Sequence, residues 1–238
     1  EDSPQVDAEP ASIEAGDSGA PVESETESAV VEVISDSDDE GVPPVSARTL
    51  ILVGIGSSAG GLEALKELIA ELPTGLNLSY VIAQHLSPTH TSLLQELLRP
   101  ETDLGVGDLN DGTVPQPDTI YVTPPNQDVM YVDGKLRLEK PQASVGPKPS
   151  VDLFFKSLAE NHGENTVGII LSGTGSDGAA GVRAIKAAGG VGLVQDPQIA
   201  KYDGMPRAAI QTGCVDLVLP AGKMGDVING LAGAPVTM

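Results

Sequence analysis

Three short stretches of the chain hold residue types suited to acyl transfer. The first is Gly54-Ile55-Gly56-Ser57-Ser58-Ala59-Gly60-Gly61, with a Gly-x-Ser-x-Gly pattern at Gly56, Ser58 and Gly60. On a tight strand-to-helix turn, the serine of such a pattern stands exposed at the strand's end. Backbone N–H groups and the helix dipole can then hold an oxyanion beside it. The same glycines also fit the phosphate-binding turn of dinucleotide folds. That turn wants an acid about 20 residues on, whereas the next apolar run, residues 78–83, ends in Gln84-His85. A glycine-rich turn with serine as a helix cap is the third reading. The second stretch, Gln84-His85-Leu86-Ser87-Pro88, puts His85 at the close of a predicted strand, as a base or as a hydrogen-bonded structural residue. His90, opening a helix, and His162, ending one before Gly163, have less to support them. The third stretch runs Leu171-Ser172-Gly173-Thr174-Gly175-Ser176-Asp177-Gly178. Alone, Asp177 reads as the cap of the helix that follows. Jointly, the three strand ends offer a nucleophile, a base and an anion to orient the base. Their order, Ser-His-Asp, differs from the Ser-Asp-His of α/β-hydrolases and predicts another topology.

The elements that must position these residues follow from apolar spacing. Residues 50–55 read as a buried strand, and Leu62, Leu65, Ile69 and Leu72 recur at helical spacing. Residues 78–83 predict a second strand, and 91–98 a helix stopped by Pro100. Residues 103–149 are rich in Gly, Pro and Asp, with apolar runs at 119–122 and 129–132. Asp133-Gly134 then marks a hairpin leading to Leu136 and Leu138. Ser150 is placed to cap a helix over 151–159. Strands at 167–171, 191–194 and 215–219 alternate with helices at 179–188 and 206–211. The pattern predicts an α/β fold whose parallel sheet is covered on both faces.

Composition narrows the function. The 238 residues hold 34 acids against 13 bases, a net charge of −21, which disfavours a phosphate-tracking nucleic-acid binder. A single cysteine, Cys214, excludes an internal disulfide and a cysteine-based zinc site, and fits a reducing compartment. No apolar run reaches the roughly 18 residues of a membrane span, and the acidic N-terminus is unlike a signal peptide. Residues 1–47 carry 14 acids and no base. Residues 1–48 are therefore expected to be a disordered tail or linker, with the folded domain at 49–238. Within the tail, Val30, Val31, Val33 and Ile34 precede an acidic run. They read either as a strand that adds to a partner's sheet edge or as chance valines in a solvated linker. Glu1 at the start and the abrupt Met238 are expected of a piece of a longer protein.

The stretches IGSSAGGLEAL, VIAQHLSP, DTIYVTPPNQDV, KPSVDLFFKSLA, IILSGTGSDGAAGVRAIKAAGG and VQDPQIAKYDGMPRAAIQTGCVD resemble the catalytic domain of the CheB-type chemoreceptor protein-glutamate methylesterases. The resemblance runs from about residue 50 to 232. It implies a doubly wound, mostly parallel sheet flanked by helices, with an antiparallel hairpin. It also implies hydrolysis of glutamate methyl esters on chemoreceptor helices, and deamidation of glutamine. Ser58 is implied as nucleophile, His85 as base and Asp177 as orienting carboxylate, with backbone N–H groups at Ala59 and Thr174, in the 173–176 loop, for the oxyanion. Two positions depart from the family: a common Ser-Thr pair is Ser58-Ala59, and a frequent methionine is Thr174. Neither metal nor organic cofactor is expected, and the setting is cytoplasmic. An acidic linker stands where the family has a phospho-receiver domain, which fits fusion to methyltransferase, sensory or kinase modules. A catalytically weak regulatory or interaction module, or a nucleotide-binding domain, are the other readings.

Overall fold

The computed structural model describes residues 49–85, 93–141 and 148–233. The expected tail with its valine patch, Leu86-Ser87-Pro88, His90 and the start of the helix expected at 91–98 lie outside the described residues. Segments mostly rich in Ile, Val and Leu build a parallel sheet from β1 (Ile51–Ser57), β2 (Leu78–Gln84), β3 (Gly105–Asp108), β4 (Thr119–Val122), β7 (Thr166–Ile170), β8 (Val191–Gln195) and β9 (Leu217–Leu219). Their spatial order is β3-β4-β2-β1-β7-β8-β9. An antiparallel pair, β5 (Asp128–Val132) and β6 (Lys135–Glu139), stands apart as a hairpin. Its turn residues Asp133 and Gly134 both have positive φ, 49° and 77°, the backbone that a two-residue hairpin turn requires.

Alternation along each strand sends side chains to two cores. Val53, Ile55, Tyr80, Ile82 and Ile169 join the apolar stripes of α1 (Gly61–Ile69), α2 (Leu94–Leu98) and α6 (Met224–Gly233). Leu52, Val81, Ile170 and Val194 face α3 (Val151–His162), α4 (Ala179–Ala187), α5 (Gly204–Gln211) and the hairpin. Burying both faces explains why the strands read as continuous apolar runs rather than alternating ones.

Gly54 and Gly56 lie inside β1, not in a turn. A Cβ on Gly54 would stand 2.8 Å from Leu158 and 2.9 Å from Phe155, both on α3, and one on Gly56 would collide with Val151 at the start of α3. These two glycines let α3 lie against the central strand. Their role is helix packing rather than cradling a phosphate.

Several boundaries differ from expectation. Strand β3 has one apolar residue, Val106, in the sequence Gly-Val-Gly-Asp, too weak a pattern to stand out. Helix α6 was not foreseen either; three glycines interrupt its apolar stripe, Met-Gly-Asp-Val-Ile-Asn-Gly-Leu-Ala-Gly. The α-helix ends at Leu98, ahead of Pro100 as expected, but the chain does not straighten there. A 3-10 turn over Arg99–Glu101 takes the proline at its start, where no N–H is needed. Strand β9 begins at Leu217 rather than 215, because Asp216 turns its carboxylate onto the Gly192 N–H at 2.8 Å.

The chain starts at the centre of the sheet, winds out through β2 to β4 and β3, then returns to lay β7 on the other side of β1. The carboxyl ends of β2, β1 and β7 thus flank the switch of winding direction, where open α/β sheets form their crevice.

Candidate active site

Register sets the site. Ser57 pairs with Gln84, and the next residue on β2's side, His85, donates its backbone N–H to Ser57 O at 2.9 Å. On the other flank, Ser58 donates its N–H to Ser172 O at 3.0 Å. Ser58, His85 and Ser172 therefore leave three neighbouring strands at one level. Ser58 is half-buried and Ala59 exposed at the tip of the turn. Gly60, with φ 69°, takes the N-cap position of α1 without a side-chain cap bond. The serine is thus not the cap of that helix.

His85 Nε2 lies 2.9 Å from Asp177 Oδ2, with side chains 8% and 12% exposed. Ser58 Oγ makes no hydrogen bond to the imidazole among the described residues; such contacts often close only around substrate. Asp177 does not cap α4, which begins after Gly178 with no side-chain cap bond. It accepts instead from the first turn of α3: Val151 N–H at 2.8 Å and Asp152 N–H at 2.9 Å. Gly178 N–H at 3.1 Å adds a further donor. The expectation of a local cap is corrected on this point, because the fold brings a different helix's N-terminus to the carboxylate. Burial pushes the Asp177 carboxyl up, but hydrogen bonds from His85, Asp152 and Val151 outweigh it and hold the group below its ordinary range.

Support for α3's first turn reaches back to the hairpin. Asp128, at the start of β5 and buried, accepts from Ser150 N–H at 2.7 Å and from Lys148 Nζ at 3.0 Å. Ser150 caps α3 as expected, its Oγ accepting from Leu153 N–H at 3.3 Å. The hairpin also binds α3 through Tyr131 N–H to Ser157 Oγ at 2.9 Å. His162, at the far end of α3, meets Leu50 O at 2.7 Å through Nε2, a structural use remote from this cluster.

Within the 173–176 loop, Gly173 spends its N–H on Tyr202 O at 2.9 Å. The N–H groups of Ala59, Gly60 and Thr174 donate to no acceptor among the described residues. Thr174 is exposed and lines an open pocket of about 480 Å³ with Gly175, Lys201, Tyr202 and Asp203. Among the described residues, no group of three or more His, Cys, Asp or Glu side chains is placed to hold a metal ion. No described helix is long and apolar enough to cross a membrane.

Sequence reading passed over Ser172, Gln195 and Asp128. Ser172 was visible in the third stretch, but nothing in the chain order says that its hydroxyl turns back to the first.

A half-buried serine at the strand end next to a histidine, with that histidine bonded to a largely buried carboxylate held below its ordinary range, is an arrangement that can attack an acyl carbon and pass the proton on. Comparison with known proteins points the same way. The family model described as CheB methylesterase matches residues 53–228. A protein-glutamate methylesterase/protein-glutamine glutaminase of Photorhabdus laumondii is 36% identical over 76% of this chain and 54% of its own length. A second protein of that name, from Shewanella sp. strain MR-4, is 38% identical over 80% of this chain and 56% of its own. This chain thus spans just over half the length of such curated relatives. The crystal structure of the Thermotoga maritima CheB methylesterase catalytic domain superposes with a TM-score of 0.72 at 31% identity, covering 77% of this chain and all of that one.

Proposed function

The chain belongs to the CheB methylesterase family, and from that premise we propose that it hydrolyses methyl esters of glutamate side chains, and deamidates glutamine, through Ser58, His85 and Asp177. The observation that carries the roles is the His85–Asp177 bond of 2.9 Å in a nearly closed setting, with His85 level with Ser58 at the neighbouring strand's end. Asp177, held ionised, accepts the His85 Nε2–H and leaves Nδ1 as the base. Nδ1 takes the Ser58 proton as Oγ bonds to the ester carbon. The N–H groups of Ala59 and Thr174 receive the negative charge that develops on the carbonyl oxygen. The carbon–methoxy bond then breaks, and methanol leaves with the proton from His85. Water repeats the sequence on the acyl-enzyme, releasing the glutamate carboxyl and restoring Ser58. An amide substrate follows the same course with ammonia as leaving group.

Helices of chemoreceptors, or of related signalling proteins, are the proposed substrates, since the relatives' names specify protein-bound glutamate and glutamine. The cytoplasm is the proposed setting, and fused methyltransferase, sensory or kinase modules the proposed neighbours. The folded domain is proposed to be residues 49–238, with 1–48 as tail or linker. The test is methanol release from a γ-methyl-glutamate peptide, together with labelling by a serine-directed phosphonate. Turnover and labelling that both vanish in Ser58→Ala support the reading. Labelling at another residue, or no turnover by the native chain, would leave an interaction module as the better account.

A further inference from the structure

Ser172 sits where three loops cross. It is fully buried. Its N–H donates to the buried Gln195 Oε1 at 2.7 Å, which ties it to the end of β8. Its carbonyl accepts the Ser58 N–H at 3.0 Å. Its hydroxyl has Ala59 O at 3.0 Å as the nearer acceptor and Tyr202 O at 3.3 Å as the farther one, and it accepts the Tyr202 N–H at 3.0 Å. One residue thereby grips the backbone on both sides of the Ser58–Ala59 step, and Gln195 anchors the grip.

The Ala59 bond has a directional effect. In a trans peptide, C=O and N–H point opposite ways. Turning the Ala59 carbonyl down onto Ser172 Oγ turns the Gly60 N–H up and away from it. That N–H has no acceptor among the described residues, and it lies at the N-terminal end of α1, next to the Ala59 N–H. Gly60 holds φ 69°, a backbone that a glycine adopts without side-chain cost. Among the described residues, no other side-chain hydrogen bond holds the Ala59–Gly60 peptide plane.

We propose that Ser172 is a positioning residue that locks the Ala59–Gly60 peptide so that its N–H, with that of Ala59, faces the oxyanion formed when Ser58 attacks. The proposal rests on the nucleophile reading above and adds a residue and a donor that it does not contain. Ser172 touches neither substrate nor the reacting atoms; it acts through the peptide it holds. The consequence is selective. Substrate binding does not depend on the lock, whereas the tetrahedral stage does, because donors already aimed at developing charge cost no reorganisation at that moment.

The experiment compares native chain, Ser172→Ala, Ser172→Thr and Ser172→Cys, with Ser58→Ala as reference. Active sites are counted by phosphonate titration, so that turnover is expressed per competent site. Ser172→Ala is expected to lower kcat per site by about 10- to 100-fold with KM within about threefold, the scale of a misplaced donor. Affinity for a boronic-acid analogue of the tetrahedral stage is expected to fall with kcat/KM. Ser172→Thr keeps the hydroxyl and is expected to restore kcat to within about threefold, while Ser172→Cys, a weaker donor, lies between. If Ser172→Ala does not fold, the Thr and Cys variants carry the test through their order in kcat. A role confined to structure would lower melting temperature and the titratable fraction but leave kcat per site and analogue affinity as in the native chain, and that overturns the proposal. A rise in KM at constant kcat, or Thr performing no better than Cys, overturns it too. If Ser58→Ala keeps its turnover, the nucleophile reading has failed. If Ser58→Ala is inactive while Ser172→Ala keeps native kcat per site, only this inference has failed.

Discussion

Removing the Ser58 hydroxyl takes away one half-buried group at a turn, so Ser58→Ala should fold normally. It should lose at least about a thousandfold in turnover, as loss of a triad member does elsewhere. Its neighbour Ser57 is fully buried with an Oγ that has no partner among the described residues. Ser57→Ala therefore removes an unpaired polar atom and should leave turnover within about threefold and stability unchanged or slightly raised. Equal losses at the two serines in a methanol-release assay would place the nucleophile wrongly. Asp177 makes two sets of bonds at once. Sequence alone treats capping and catalysis as alternatives, with asparagine an adequate cap. The carboxylate instead serves His85 and two N–H groups of α3 together, and asparagine would set an NH₂ group against one of those donors. Asp177→Asn should lower turnover by about a thousandfold to ten-thousandfold, and also cost about 1–3 kcal/mol in chemical denaturation, the scale of an unsatisfied buried donor. The pH sign follows from a carboxyl held below its ordinary 3.8. The ionised group's stabilisation is complete above that value and is lost as pH falls through the folded one. The stability gap between native chain and Asp177→Asn should be constant near neutrality and narrow below about pH 4; a gap that does not narrow would show that ionisation is not what Asp177 contributes.

At the scale of elements, α3 is the part that joins sheet, hairpin and carboxylate. Its first turn can reach Asp177 only because Gly56 has no side chain: an added Cβ would meet Val151, and Ile170 at 3.2 Å. Gly56→Ala should push that turn outward and overpack the core by about 1–3 kcal/mol. Turnover should fall about tenfold or more as the Val151 N–H leaves Asp177. Thermal melts and assays on one preparation check both, and native values in each would mean that Val151 yields without moving the helix. These elements also show what could be read from the chain. The central strands were legible because burial on both faces forces long runs of Ile, Val and Leu, and the hairpin because Asp133-Gly134 has few other uses. Ser58 and His85 could be picked out as the residues just past two strand ends, and Asp177 from the loop after a third, since the level of each strand end follows from its apolar run. Strand β3 was not legible, as an edge position with one apolar residue is held by its neighbour β4 rather than by its own sequence. Neither was the true donor set of Asp177. Which helix start meets a loop depends on packing between segments far apart in the chain, and Gly56 looked like part of a turn motif until α3 was seen lying on it.

For the whole molecule, charge and connectivity lead to separate expectations. Residues 1–47 hold 14 acids and no base, a composition with too little apolar surface to pack. Deleting 1–48 should leave melting temperature and basal turnover unchanged; a clear drop in either on scanning calorimetry and assay would move the domain boundary. Within the folded part, the His85–Asp177 bond joins positions 92 residues apart, across both windings of the sheet. Closing so long a loop costs entropy before the contact returns anything. A chain emerging from denaturant can form α1 or the hairpin from neighbours in sequence, yet it cannot orient an imidazole until β7 and its loop have docked beside β1. Ester cleavage is thus a timer for the last stage of assembly. In stopped-flow refolding, far-ultraviolet helix signal should recover ahead of the capacity to split a chromogenic ester. Recovery of both at one rate would mean that the two windings form together, and that the molecule has no folded-looking stage in which it is still chemically silent.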